Sequence, residues 1–153
     1  MAEQGLDGDP QDGAAAVRAS FARQGMMDLL GARLALVEPG TCMIELPFRP
    51  ELSQQDGFFH AGALTTIADS AAGYAALSLM PPGARVLTVE LKINLLAPGV
   101  GELALARGLV QKAGRTLTVV QSEVLVRRGA EETRVALMLA TMIGLPAGGR
   151  PAA

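Results

Sequence analysis

Residues 60–80, HAGALTTIADSAAGYAALSLM, constrain the fold most. Alanine and leucine dominate this stretch, and both are strong helix formers. Pro81-Pro82-Gly83 follows and cannot continue a helix. A helix of about twenty residues is ~30 Å long. This one is apolar nearly all round, so it must be enclosed rather than laid on a surface. Ala68, Ala71, Ala72, Gly73, Ala75 and Ala76 are small enough to admit close approach by a sheet or by another helix. An antiparallel sheet curving around one central helix meets both demands, which places the chain in the α+β class.

The flanking segments supply the strands. ARLALVEPGTCMIELPF (32–48) has two apolar runs joined by Pro39-Gly40, a turn pair, and predicts a β-hairpin. From Val86 to Leu95 the pattern alternates, with Val89, Leu91, Ile93 and Leu95 on one face and Thr88, Glu90, Lys92 and Asn94 on the other. Ala97-Pro98-Gly99 ends it. Three further strands are predicted over 101–112, 115–127 and 133–144, with 86–95 leading a four-strand meander. Val17–Leu30 reads as one amphipathic helix with Val17, Phe21, Met26, Leu29 and Leu30 turned inward. Residues 1–16 read as a flexible leader, 17–145 as a single domain and 146–153 as a flexible tail.

Composition removes several classes of function. With 13 basic and 15 acidic residues the net charge is −2, and the cations are scattered apart from Arg127-Arg128, so there is no field for nucleic acid. The chain lacks an apolar run of membrane-spanning length and a basic-then-apolar N-terminal signal, which leaves a cytoplasmic protein with no membrane partner as the expectation. The single cysteine, Cys42, lies in an alternating apolar strand and reads as a buried small hydrophobe. No metal-ligand cluster is evident, and no metal or cofactor is expected.

Asp69 is the anomaly in the enclosed helix, because an unpartnered carboxylate is strongly disfavoured there. A structural reading has it hydrogen-bonding Thr65 or Thr66; a functional reading makes it a catalytic acid or base. His60, the lone histidine, sits nine residues earlier. That spacing is ~13 Å along the helix axis and half a rotation away, so the two cannot act as a pair within one chain. The helix start offers unpaired backbone N–H groups and a positive dipole end suited to an oxyanion. Ala61 and Gly62 let a carbonyl approach it. A two-fold dimer with antiparallel helices would bring one chain's helix start to the other chain's acid, and the chemistry implied is hydrolysis of an activated acyl compound.

These residues resemble the hotdog-fold acyl-CoA thioesterases of the phenylacetic-acid-degradation (PaaI-like) type. The pattern is Gln54, Gly57, His60-Ala61-Gly62 and Asp69, followed by Ser70-Ala71-Ala72-Gly73-Tyr74. The resemblance spans about residues 30–144, including VLTVELKINLLAPG and KAGRTLTV. It implies a curved antiparallel sheet wrapped around a long central helix, with Asp69 as general base or nucleophile. The backbone N–H of Ala61 would then lie in the oxyanion hole of the opposite subunit's site. It further implies that Gln54 orients the water or thioester, that His60 supports the helix start, and that Thr88 lies near the reacting water. Two departures from the family pattern, Ala61 for glycine and Gln54 for the commoner asparagine, keep the chemistry but alter the space around the carbonyl.

The implied substrate is an acyl-CoA, and the implied assembly is a homodimer or a dimer of dimers, a homotetramer. Lys112, Arg115, Arg127 and Arg128 are the candidates for coenzyme A phosphates, Arg115 foremost. A hotdog hydratase or dehydratase, and a non-catalytic acyl-CoA-binding module, are the alternatives.

Overall fold

The computed structural model describes residues 10–148, with side chains from residue 13. The order is α1 (Pro10–Phe21), α2 (Gly25–Leu30), β1 (Arg33–Glu38), β2 (Thr41–Pro47), a 3-10 turn (Pro50–Leu52), α3 (Ala61–Leu77), β3 (Arg85–Leu95), β4 (Leu103–Ala113), β5 (Leu117–Arg128) and β6 (Glu131–Leu145). The strands form one antiparallel sheet in the order β1-β2-β4-β5-β6-β3. The sheet wraps α3, which contacts five of the six strands. Eleven of its seventeen residues are buried, which is the enclosure its composition predicts.

Small residues set the helix-to-sheet spacing. A Cβ at Gly108 on β4 would lie 2.4 Å from the Ala71 carbonyl oxygen and 2.8 Å from the Ala72 nitrogen. The helix backbone therefore rests directly on β4. Ile44, Leu46, Ile67, Val120, Val124, Met138 and Met142 fill the rest of the layer and are fully buried.

Three expectations are corrected. The four-strand meander is not formed: β4, β5 and β6 pair in sequence, but β3 pairs with β6 at the sheet edge. Residues 96–102 carry the chain across the end of the sheet, bonded by Leu96 N–H to Val135 O, Phe59 N–H to Gly99 O and Phe48 N–H to Glu102 O. That crossing inserts β4 between β2 and β5.

The expected Val17–Leu30 helix is two helices. After Phe21 the bonds tighten to Arg23 N–H with Ser20 O and Gln24 N–H with Phe21 O, and helix resumes at Gly25. The restart rotates α2, so Met27 is buried while Met26 and Leu29 face outward. Helix α1 also begins earlier than expected, at Pro10, so residues 10–16 of the expected leader are helical. Residues 1–9 of that leader and 149–153 of the expected tail lie outside the described residues.

Third, strict alternation fails in β3. A bulge between Thr88 and Glu90 inserts Val89 as an extra residue. Thr88 pairs with Met142, Leu91 with Ala140, Ile93 with Met138 and Leu95 with Ala136. Those partners are all buried beneath α3. The bulge thus moves Thr88 off the Glu90 face and onto the face turned to the helix.

Gly108→Ala is expected to destabilise the fold by about 2–3 kcal/mol, because backbone rather than a movable side chain opposes the new methyl. Chemical denaturation of the variant and the native chain measures the difference.

Candidate active site

Helix α3 has one uncovered stripe, formed at helical spacing by Gly62, Thr65, Thr66, Asp69 and Ser70. The hydroxyls of Thr65 and Thr66 donate to the carbonyls of Ala61 and Gly62 one turn back, each at 2.8 Å. Neither reaches Asp69, so the structural reading of that acid as a partner of Thr65 or Thr66 is set aside. Asp69 Oδ1 instead accepts from Thr88 Oγ1 at 2.7 Å, a contact made possible by the β3 bulge. The Met142 sulfur lies 3.4 Å from the same hydroxyl. The carboxylate is half-buried, held at one oxygen, with its second oxygen making no hydrogen bond among the described residues.

At the helix start, His60 is the N-cap. Its Nδ1 accepts from the Gly62 N–H at 2.8 Å, and its own N–H bonds Leu52 O. The Ala63 and Leu64 N–H groups bond His60 O. Among the described residues nothing accepts from the Ala61 N–H. Of the two small residues at the helix start, Gly62 is occupied by the cap and Ala61 holds the open donor. Gln54 stands in the adjoining loop, closed by a bridge between Ser53 and Phe59. Its Oε1 accepts from the Asp56 and Phe58 N–H groups, and its Nε2 donates to Asp56 Oδ2 at 3.3 Å.

The predicted residues therefore form two groups within a chain. Gln54, His60, Ala61 and Gly62 gather at the start of α3, while Asp69 and Thr88 meet two turns further on, about 12 Å from Ala61 along the axis. The four cations also divide. Lys112 and Arg115 lie at the β4–β5 turn, and Arg127 and Arg128 at the opposite end of β5, about 30 Å away. They cannot serve one ligand within a chain. Arg127 is further engaged by Glu132 at 2.7 Å, whereas Arg115 lines a cavity of about 630 Å³ with Leu79, Met80 and Thr118.

A second cavity, of about 520 Å³, opens beside Asp69 and Thr88 and runs past Gly73, Tyr74 and Leu77. Its outer wall is not evident from the sequence: Ser20 in the last turn of α1, Arg23 and Gln24 in the turn after it, and Arg85 at the start of β3 line it. Gln24 Oε1 lies 3.5 Å from Ser70 Oγ. The polar Ser-x-x-Arg-Gln interruption after an apolar face was the available sequence signal. Burial pushes the Tyr74 hydroxyl up, while the Ser20 hydroxyl and the Arg23 guanidinium act in the opposite direction.

The profile of the thioesterase superfamily matches residues 56–133, which take in the helix start, Asp69 and Thr88. The chain belongs to the thioesterase superfamily. A thioesterase family protein of Silicibacter pomeroyi has a similar structure, at 47% identity and a TM-score of 0.86, over 88% of this chain and 99% of that one. The PaaI protein of the Escherichia coli phenylacetic acid degradation operon shares the fold at 19% identity, with a TM-score of 0.81 over 90% and 96% of the two chains. A presumed esterase of Halobacterium salinarum is 29% identical over 137 residues, 84% of this chain and 90% of its own length. The protein is a hotdog-fold thioester hydrolase. No helix among the described residues is long and apolar enough to cross a membrane.

Cys42 is no nucleophile for such a reaction: it is fully buried, and burial pushes its thiol up to about 12. The raised value keeps the thiol protonated through neutral and mildly alkaline pH. Iodoacetamide at pH 8 is expected to leave the folded protein unlabelled and to modify Cys42 only after unfolding, as read by intact mass.

Proposed function

We propose that the enzyme hydrolyses acyl-CoA thioesters to free acid and coenzyme A at sites shared by two copies of the chain. Each site takes Asp69 and Thr88 from one copy and the Ala61 N–H from the other. The observation that carries this reading is the separation of the open Ala61 donor from Asp69 along a single uncovered helix stripe. The inward face of β3 supports it, because Leu91 and Leu95 overhang α3 and stay 38% and 54% exposed in one chain. An antiparallel α3 from a second copy would cover both the overhang and the stripe.

In this site the thioester carbonyl oxygen accepts from the Ala61 N–H at the positive end of the partner's helix, which favours the negative charge that develops there. Asp69 drives attack on the carbonyl carbon, by taking a proton from water or by attacking directly and being released by water. A C–O bond forms, the C–S bond breaks, and the departing thiolate gains a proton, so one water is consumed per acid and thiol released. Thr88 fixes the carboxylate, Gln54 stands beside the donor, and Gly62 keeps the approach open. His60 holds the helix start; its Nδ1 is spent on the cap, which favours hydrolysis over the histidine-dependent hydratase chemistry. Arg115 meets the coenzyme A phosphates.

An acyl-CoA panel with thiol detection tests the reading. Asp69→Asn is expected to lower kcat by roughly 10²–10⁴-fold with unchanged circular dichroism; turnover by Asp69→Ala at the native rate would sink the assignment. Ala61→Pro removes the donor at a first-turn position that accepts proline, and His60 before it has φ −64° and ψ 135°, a conformation proline tolerates in its predecessor. A loss of about 10²–10³-fold in kcat with an intact fold is expected.

Mixing the two inactive variants separates shared from single-chain sites. Re-equilibrated Asp69→Asn and Ala61→Pro chains should recover about a quarter of native activity, since half the dimers are mixed and each holds one complete site. No recovery, or an active monomer by native mass measurement, would place both groups' partners within one chain.

A further inference from the structure

The cavity beside Asp69 carries two cations that the hydrolytic machinery does not use. Arg23 and Arg85 both line it, and neither guanidinium forms an ion pair or donates a hydrogen bond among the described residues. Among the described residues the only carboxylate lining the same cavity is Asp69, already bonded by Thr88. Between these charges the wall is largely apolar or small, with Gly73, Leu77, Val86 and Met142. Arg23 and Arg85 are themselves exposed, whereas Tyr74, which lines the same cavity, is only 4% exposed. Cation, alkyl-lined middle and reacting carboxylate thus share one space.

Resting on the acyl-CoA reading, we infer that Arg23 and Arg85 select acyl groups that carry their own carboxylate at the far end, the monothioesters of dicarboxylic acids. A carboxylate there meets guanidinium donors suited to bidentate bonding, with Ser20 and Tyr74 hydroxyls alongside. Its alkyl chain spans the apolar middle, which holds the two negative charges, substrate carboxylate and Asp69, apart.

The phosphates of coenzyme A are the rival ligand for these arginines. Thirteen bonds separate the thioester sulfur from the first phosphorus, the length of roughly four extended residues or ~15 Å. Asp69 and Leu77, which both line the cavity, are eight residues apart, about 12 Å. An extended pantetheine arm therefore carries the phosphates beyond this cavity, whereas the end of a medium-length acyl chain falls inside it.

The test compares kcat/KM for succinyl-, glutaryl- and adipoyl-CoA with butyryl-, pentanoyl- and hexanoyl-CoA, and for the matching N-acetylcysteamine thioesters, which lack phosphates. The native enzyme is expected to prefer one of the carboxylated chains over its plain counterpart in both thioester series. Arg23→Gln and Arg85→Gln should lower that preference by about tenfold or more, and Arg→Lys should recover part of it.

An unchanged preference ratio in the Gln variants overturns the proposal. So does a uniform loss confined to coenzyme A esters, which would assign the arginines to the phosphates. If no thioester is turned over, the acyl-CoA reading fails by itself. The arginine site is then decided by thermal shift with adipate and hexanoate: adipate-specific protection, lost in both Gln variants, upholds it, and equal or no protection overturns it.

Discussion

The direct contact between the α3 backbone and β4 governs the rest of the structure. With Gly108 beneath Ala71 and Ala72, the sheet closes onto the helix without a layer of large side chains between them. The curvature this demands brings the rest of the sheet round the helix and leaves a single stripe uncovered. All the polar side chains of α3 except the near-terminal Tyr74 hydroxyl occupy that stripe. Enclosure and the placement of Asp69 are one consequence of the same small-residue packing, because a helix with only one open face has only one place to hold a carboxylate.

That carboxylate is neither fully solvated nor fully satisfied. One charge-assisted hydrogen bond from Thr88 orients it, and its other oxygen stays free. The donor comes from a bulged edge strand, where a one-residue insertion re-aims side chains at small cost because no further strand of the same chain pairs beyond it. In a central strand the same bulge would disturb two ladders. The position of β3 at the edge, the result of the crossing by residues 96–102, is therefore part of how the site is built.

Much of this was legible in the chain. Near-continuous apolarity over 60–80 identified the enclosed helix and Pro39-Gly40 the hairpin, and the misplaced Asp69 marked the helix's one uncovered stripe. What was illegible depended on long-range register. Alternation through Val86–Leu95 assigned Thr88 and Glu90 to one face, and nothing local to TVE marks the bulge that parts them. The meander failed for a similar reason: a Pro-Gly interruption at 97–99 looks the same whether the next strand returns alongside or crosses the sheet. The α1–α2 break has no local mark, because an inward face at Val17 and Phe21 continues plausibly into Met26, and only the tightened turn before Gly25 shifts the phase. That same unmarked turn is what brings Ser20, Arg23 and Gln24 to the cavity.

The proposed pairing also locates its own symmetry axis. If Ala61 of one helix faces Asp69 of an antiparallel partner, residue numbers across the contact sum to a constant, and the two-fold axis passes beside Thr65, midway between them. The residues nearest the axis are then Thr65, Thr66, Gly62 and Asp69, with Leu91 and Leu95 from the overhanging strand at the flanks. Burial there would be costly for two free hydroxyls, but Thr65 and Thr66 already spend their protons on the carbonyls of Ala61 and Gly62. Their methyl groups are what remains to pack. Threonine in the middle of a helix, an indifferent choice on propensity alone, suits an interface that has to be dry at its centre and polar at its two ends.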